Sequence, residues 1–94
     1  MKQTLPSKKP SERVVIKLLL FAQLRDYVGE DNLVIELPSQ ATGESVRKWF
    51  SQRSKKAREM ALISRLAVNG EYVSWEYPLT KGDEVAVIPP VSGG

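Results

Sequence analysis

The chain closes on Gly82-Asp83-Glu84-Val85-Ala86-Val87-Ile88-Pro89-Pro90-Val91-Ser92-Gly93-Gly94. From Asp83 to Ile88 the residues alternate and are rich in β-branched side chains, the pattern of a strand. Val85 and Val87 share one face. Glu84, Ala86 and Ile88 share the other, and Glu84 marks it as the wetter of the two, which leaves Ile88 exposed where the strand ends. Pro89 and Pro90 stop the strand, because neither has an N–H to give to a ladder. A Pro-Pro pair favours stiff polyproline II backbone. The six residues 89–94 reach roughly 20 Å when extended. The expectation is a flexible arm, residues 89–94, that carries a terminal carboxylate away from a folded body, residues 14–88.

Upstream of the arm, Lys81-Gly82-Asp83 reads as a turn into the last strand. Asn69-Gly70, flanked by Leu66 to Val68 and by Tyr72 to Val73, is a strong hairpin signal. Trp75 and Tyr77 are expected to cover the edge of the core. The main helix is expected between Ser39 and Ile63, with Thr42 as N-cap and Glu44 favouring its first turn. Val46, Trp49, Phe50, Arg53 and Ala57 recur at helical spacing. Ser54-Lys55-Lys56 either breaks that helix or leaves a loop before Arg58. Nearer the start, Asn32 to Leu37 alternates as a strand. Ala22 to Val28 fits a short helix, with Leu24, Tyr27 and Val28 on one face and Gly29 as a left-handed stop.

Val14 to Phe21 is the first strand. Ile16, Leu18 and Leu20 lie on one face, and Val15, Lys17, Leu19 and Phe21 on the other. Lys17 brings solvent to the second face, which makes Leu19 and Phe21 large apolar groups outside the core. A strand buried on both faces is the competing reading. Residues 1–13 are polar, contain Pro6 and Pro10, and are expected to form a disordered leader. One sheet with a helix laid over one face is an α+β layout, with four to five strands in the sheet.

Three stretches together resemble the MoaD family, the small sulfur-carrier subunit of molybdopterin synthase. One is the Pro-Pro-Val-Ser-Gly-Gly ending. The second runs from Ile16 through Phe21-Ala22-Gln23 to Gly29. The third is Val68-Asn69-Gly70-Glu71-Tyr72-Val73 with Pro78-Leu79 and Gly82-Asp83-Glu84-Val85. The resemblance covers about residues 14–94. It implies a ubiquitin-like β-grasp fold with a mixed sheet. It also implies that Gly94 is the reactive site, adenylated by an ATP-dependent MoeB-type activating enzyme and converted to a thiocarboxylate by a sulfur donor. The sulfur then passes to a pterin precursor in a pocket of the large, MoaE-type subunit, in a heterotetramer of two small and two large subunits. Pro89, Pro90, Val91, Ser92 and Gly93 are expected to insert into the partner. Phe21, Tyr72 and Ile88 fall at positions resembling the family's hydrophobic docking surface.

Composition agrees with a carrier that leaves the chemistry to others. Ninety-four residues suggest one domain. There is no cysteine and no histidine, which removes thiolate chemistry, disulfides and the usual acid/base group near neutral pH. No bound cofactor and no metal site is expected. No apolar run approaches the roughly 20 residues of a membrane span, and the start lacks the apolar core of a signal peptide. The expected location is the cytoplasm. The net charge of +3 resides entirely in residues 1–13, so the body is neutral. That is poor material for binding nucleic acid, which leans on neutralising phosphates. Two other readings stand beside the carrier. A related carrier would use the same arm for thiazole synthesis or attachment to lysines. An RNA-binding β-grasp module would use the basic run Arg47, Lys48, Arg53, Lys55, Lys56 and Arg58 with Trp49 and Phe50 interleaved.

Overall fold

The computed structural model describes residues 13–90. In order, the chain forms β1 (Val14–Leu20), α1 (Ala22–Val28), β2 (Asn32–Leu37), α2 (Gly43–Ser51), α3 (Lys55–Leu62), β3 (Arg65–Val68), β4 (Glu71–Val73) and β5 (Glu84–Ile88). The five strands make one sheet in the order β2-β1-β5-β3-β4. β1 and β5 run parallel, and the other neighbours are antiparallel. This mixed α+β sheet, with helices on one face, is the ubiquitin-like β-grasp layout.

One face of the sheet holds the core. Ile16, Leu18 and Leu20 of β1, Ile35 and Leu37 of β2, Leu66 and Val68 of β3, and Val85 and Val87 of β5 are all buried. They meet Leu24 from α1, Val46, Trp49 and Phe50 from α2, and Ala57 and Ala61 from α3. The β1 alternation resolves in favour of one dry face and one wet face, since Lys17 is exposed and Phe21 is 44% exposed. Tyr77, expected to cover the edge of the core, is 40% exposed, and Tyr27, expected to share a helix face with Leu24 and Val28, is 38% exposed. Tyr27 is the last turn of a seven-residue helix, and its ring lies under the Lys56 ammonium, 5.9 Å away. Trp75 packs against the core as expected.

The stretch expected to hold the main helix is two helices, divided at Ser54, where the sequence offered a break or a loop. Ser54 takes up extended backbone, and its Oγ accepts the Ala57 N–H at 3.2 Å, so it caps a new helix. Arg53, which recurs at helical spacing with the apolar residues and also belongs to the basic run, sits in the break, exposed, with its guanidinium 4.7 Å from the Trp49 ring centroid. The start of α2 follows expectation and adds a reciprocal capping box. The Glu44 N–H donates to Thr42 Oγ1, and the Thr42 N–H donates to Ser45 Oγ. The same helix start is laced to the β4–β5 connection: the Gly43 N–H donates to the Tyr77 carbonyl and the Glu44 N–H to that of Trp75. Gly43 is required there by space. A Cβ on it would lie 2.5 Å from Leu66 Cδ2 and 2.7 Å from the Trp75 carbonyl oxygen.

Candidate functional site

The β3–β4 turn sets the register from which the site is built. Asn69 and Gly70 both have positive φ, 52° and 89°, as a two-residue hairpin that follows the twist of the strands demands. That turn pairs Ala67 with Tyr72. Ala67 in turn pairs with Ala86, and Ala86 with Leu19. Paired residues share a face, so Leu19, Ala86, Ala67 and Tyr72 form one row across four strands on the face away from the helices. Two alanines in the middle of a row leave a dip between Leu19 and Tyr72.

The ends of the dip follow from the neighbouring rows. Toward one end, Lys17 pairs with Glu84 in register, and their side chains form an ion pair at 3.9 Å. Toward the other, Arg65 pairs with Ile88. Phe21 stands one residue beyond the Leu20–Val87 pair, level with Ile88. The result is a depression of about 270 Å³ lined by Leu19, Phe21, Ala67, Gly70, Tyr72, Glu84, Ala86 and Ile88. Its lining is mostly apolar, although it lies outside the core.

Local backbone fixes the exposed aromatics. After β1 the chain turns straight into α1, and Ala22 adopts φ 51° to do so. A left-handed alanine costs on the order of 1 kcal/mol. It leaves Phe21, the extended N-cap of α1, at the rim of the dip. Tyr72 is 56% exposed. Arg65, diagonal to it on β3, lays its guanidinium 3.7 Å from the Tyr72 ring centroid.

A polar lock holds the opposite end. Asn69 Nδ2 donates to Asp83 Oδ1 at 2.9 Å, and the Glu84 N–H donates to Asn69 Oδ1 at 2.9 Å. The Thr80 N–H donates to Asp83 Oδ2 at 2.8 Å. Partial burial pushes the Asp83 carboxyl pKa up, but the hydrogen bonds from Thr80 and Asn69 outweigh it and hold the group below its ordinary value. The lock ties the hairpin that carries Tyr72 to the base of β5.

Phe21, Tyr72 and Ile88, drawn from three separate parts of the sequence, therefore meet on one surface. Pro89 is buried and Pro90 exposed directly after Ile88. Val91, Ser92, Gly93 and Gly94 lie outside the described residues, as do residues 1–12 of the expected leader. Leu19 was legible as an apolar residue out of place. Ala67, Ala86 and Arg65 were not singled out by sequence reasoning; extending the Asn69-Gly70 register across the sheet is the signal that finds them.

The basic run offers a different picture from an aromatic-studded binding face. Trp49 and Phe50 are 8% and 0% exposed and pack edge to face in the core, so neither ring is free to stack on a base. Arg47 is tied to Glu44 at 2.7 Å and lies 3.9 Å from the Trp75 ring centroid. Among the described residues, no three His, Cys, Asp or Glu side chains converge as a metal site would require. No helix among them is long and apolar enough to cross a membrane.

Residues 18–94 match the ThiS family. The chain is 40% identical over 84 residues to the molybdopterin synthase sulfur carrier subunit of Escherichia coli, covering 85% of this chain and 100% of that protein. It is 36% identical over 81 residues to the subunit of the same name from Dictyostelium discoideum, covering 83% and 94%. Among solved structures, the putative molybdopterin converting factor subunit 1 of Pyrococcus furiosus superposes with a TM-score of 0.73 at 36% identity, over 83% of this chain and 99% of that one. A β-grasp body with an apolar dip beside the end of its last strand, and kinship to these sulfur carriers over most of its length, place the chain in the ThiS family.

Proposed function

We propose that this protein is a sulfur carrier in molybdenum cofactor biosynthesis, the small subunit of a molybdopterin synthase. The observation that carries the proposal is the position of Ile88. The strand that leads into Pro89-Pro90 ends on the rim of the apolar depression, so the arm starts where a partner would dock.

A carboxylate is a poor electrophile, because an attacking sulfur has no good group to expel. In the proposed cycle the Gly94 carboxylate attacks the α-phosphorus of ATP held by a MoeB-type activating enzyme, and pyrophosphate leaves. A sulfide-level sulfur from the donor then attacks the acyl carbon of the adenylate, AMP leaves with the bonding electrons, the sulfur gives up its proton, and a thiocarboxylate remains. That sulfur is handed to the pterin precursor in the large, MoaE-type subunit, within an assembly of two small and two large subunits in the cytoplasm.

The residue types suit these steps. Gly93 and Gly94 have no Cβ, so the terminus fits a narrow channel. Pro89, buried against the body, fixes the base of the arm, and Pro90 restricts the unbound arm beyond it, which lowers the ordering cost of insertion. Val91 supplies an apolar anchor and Ser92 a hydrogen-bonding hydroxyl. Phe21, Tyr72 and Ile88 supply the docking surface, and acid/base work falls to the partners.

The test is removal of Gly93 and Gly94. The truncated chain should bind the large subunit within a few-fold of wild type yet accept no sulfur and support no pterin conversion. Sulfur loading that survives the truncation would overturn the proposal.

A further inference from the structure

Arg65 is the charge on the docking surface that the carrier reading leaves without a task. It lies at the arm's end of the depression, paired with Ile88 in the ladder. Its guanidinium carbon lies over the Tyr72 ring, 3.7 Å from the centroid. The other charges beside the depression, Lys17 and Glu84, neutralise one another. Among the described residues, no carboxylate pairs with Arg65.

A guanidinium held over an aromatic ring keeps most of its donor capacity, since the contact is made through its delocalised charge and leaves N–H groups for a carboxylate. The stack restrains a long side chain that would otherwise lose rotamer freedom on binding. The arrangement thus places a restrained guanidinium at the edge of an apolar seat. Arginine beside aromatic residues in a partly desolvated patch is also the composition of an interface hot spot.

We infer that Arg65, held by Tyr72, is a specificity-determining contact: it forms a forked, charge-assisted hydrogen bond with a carboxylate of the protein that receives the arm. The partner surface has an aliphatic or aromatic side chain that fills the dip over Ala67 and Ala86, with an Asp or Glu beside it facing Arg65. This rests on the proposed carrier function and adds the chemistry of the partner surface. An alanine-floored dip alone admits any apolar knob, whereas the added cation selects among partners by charge.

The experiment compares wild type with Arg65→Met, Arg65→Lys, Tyr72→Phe and Tyr72→Ala. Binding to the organism's own large subunit is measured across a range of ionic strength, and sulfur loading and thermal unfolding are measured in parallel. Arg65→Met keeps the aliphatic stem and should weaken binding on the order of tenfold, the scale for losing a hydrogen bond to a charged group. Its affinity should also fall less steeply with salt than that of wild type. Arg65→Lys should restore the salt dependence but only part of the affinity, because an ammonium cannot form the fork. Tyr72→Phe should bind like wild type, and Tyr72→Ala should lose affinity with Arg65 still present.

Equal affinity and equal salt slope for Arg65→Met and wild type, with both chains loading sulfur normally, would overturn the inference and leave the carrier function standing. Failure of both chains to load sulfur would instead overturn the carrier function.

Discussion

Phe21 and Asp83 show how two single side chains divide the labour of the site. Phe21 keeps 44% of its surface exposed, so its ring contributes little to the core and much to the rim. Phe21→Lys should therefore weaken binding to the large subunit at least tenfold while moving the unfolding midpoint by no more than a few degrees. A fall in stability matching the loss of binding would return Phe21 to the core. Asp83 works the other way, holding a turn. Its folded carboxyl pKa lies below the ordinary value of 3.8, so the unfolded chain binds the proton more readily. The stabilisation is then fully present above that value and drains away as pH falls through it toward the lower folded pKa. Solvent screening keeps the contribution under about 1 kcal/mol. Denaturant titrations at a series of pH values between neutral and strongly acidic should show Asp83→Asn with a shallower acid-side loss than wild type. An identical slope would mean that the carboxylate does not carry the lock.

The strands were far easier to read from the chain than the helical layer or the site. β1, β2 and β5 alternate cleanly because one face of each is wet, and the Asn69-Gly70 turn fixes its hairpin by backbone sterics alone. The helical layer was blurred. Phe50 and Ala57 are seven residues apart, two turns of an unbroken helix, so the apolar pattern runs straight across the break. What separates α2 from α3 is the Ser54 cap, a local hydrogen bond that hydrophobic spacing cannot register. The depression was invisible for a related reason: alanines on a wet face look like filler until the register sets Ala67 beside Ala86. Two substitutions test these placements. Ala86→Leu should fill the dip and block the large subunit with little change in stability, as judged by calorimetric binding and thermal melts; retained binding would remove the depression from the interface. Gly43→Ala forces a methyl group against Leu66 and the Trp75 carbonyl and should cost about 1–3 kcal/mol in denaturant unfolding.

The sheet presents an apolar depression beside the end of its last strand, and the proposed function puts the reacting carboxylate on the residues that follow it. If the same surface serves both the activating enzyme and the large subunit, the two must compete. Excess large subunit should then slow sulfur loading in proportion to its occupancy, and a loading rate indifferent to the large subunit would separate the two surfaces. The most direct measurement is the intact mass of the chain after incubation with activating enzyme, ATP and a sulfur donor. The account predicts a gain equal to one sulfur less one oxygen, localised by fragmentation to Gly94 and absent when ATP is withheld. An unchanged mass under conditions that load an established carrier, or sulfur found anywhere other than Gly94, would contradict it.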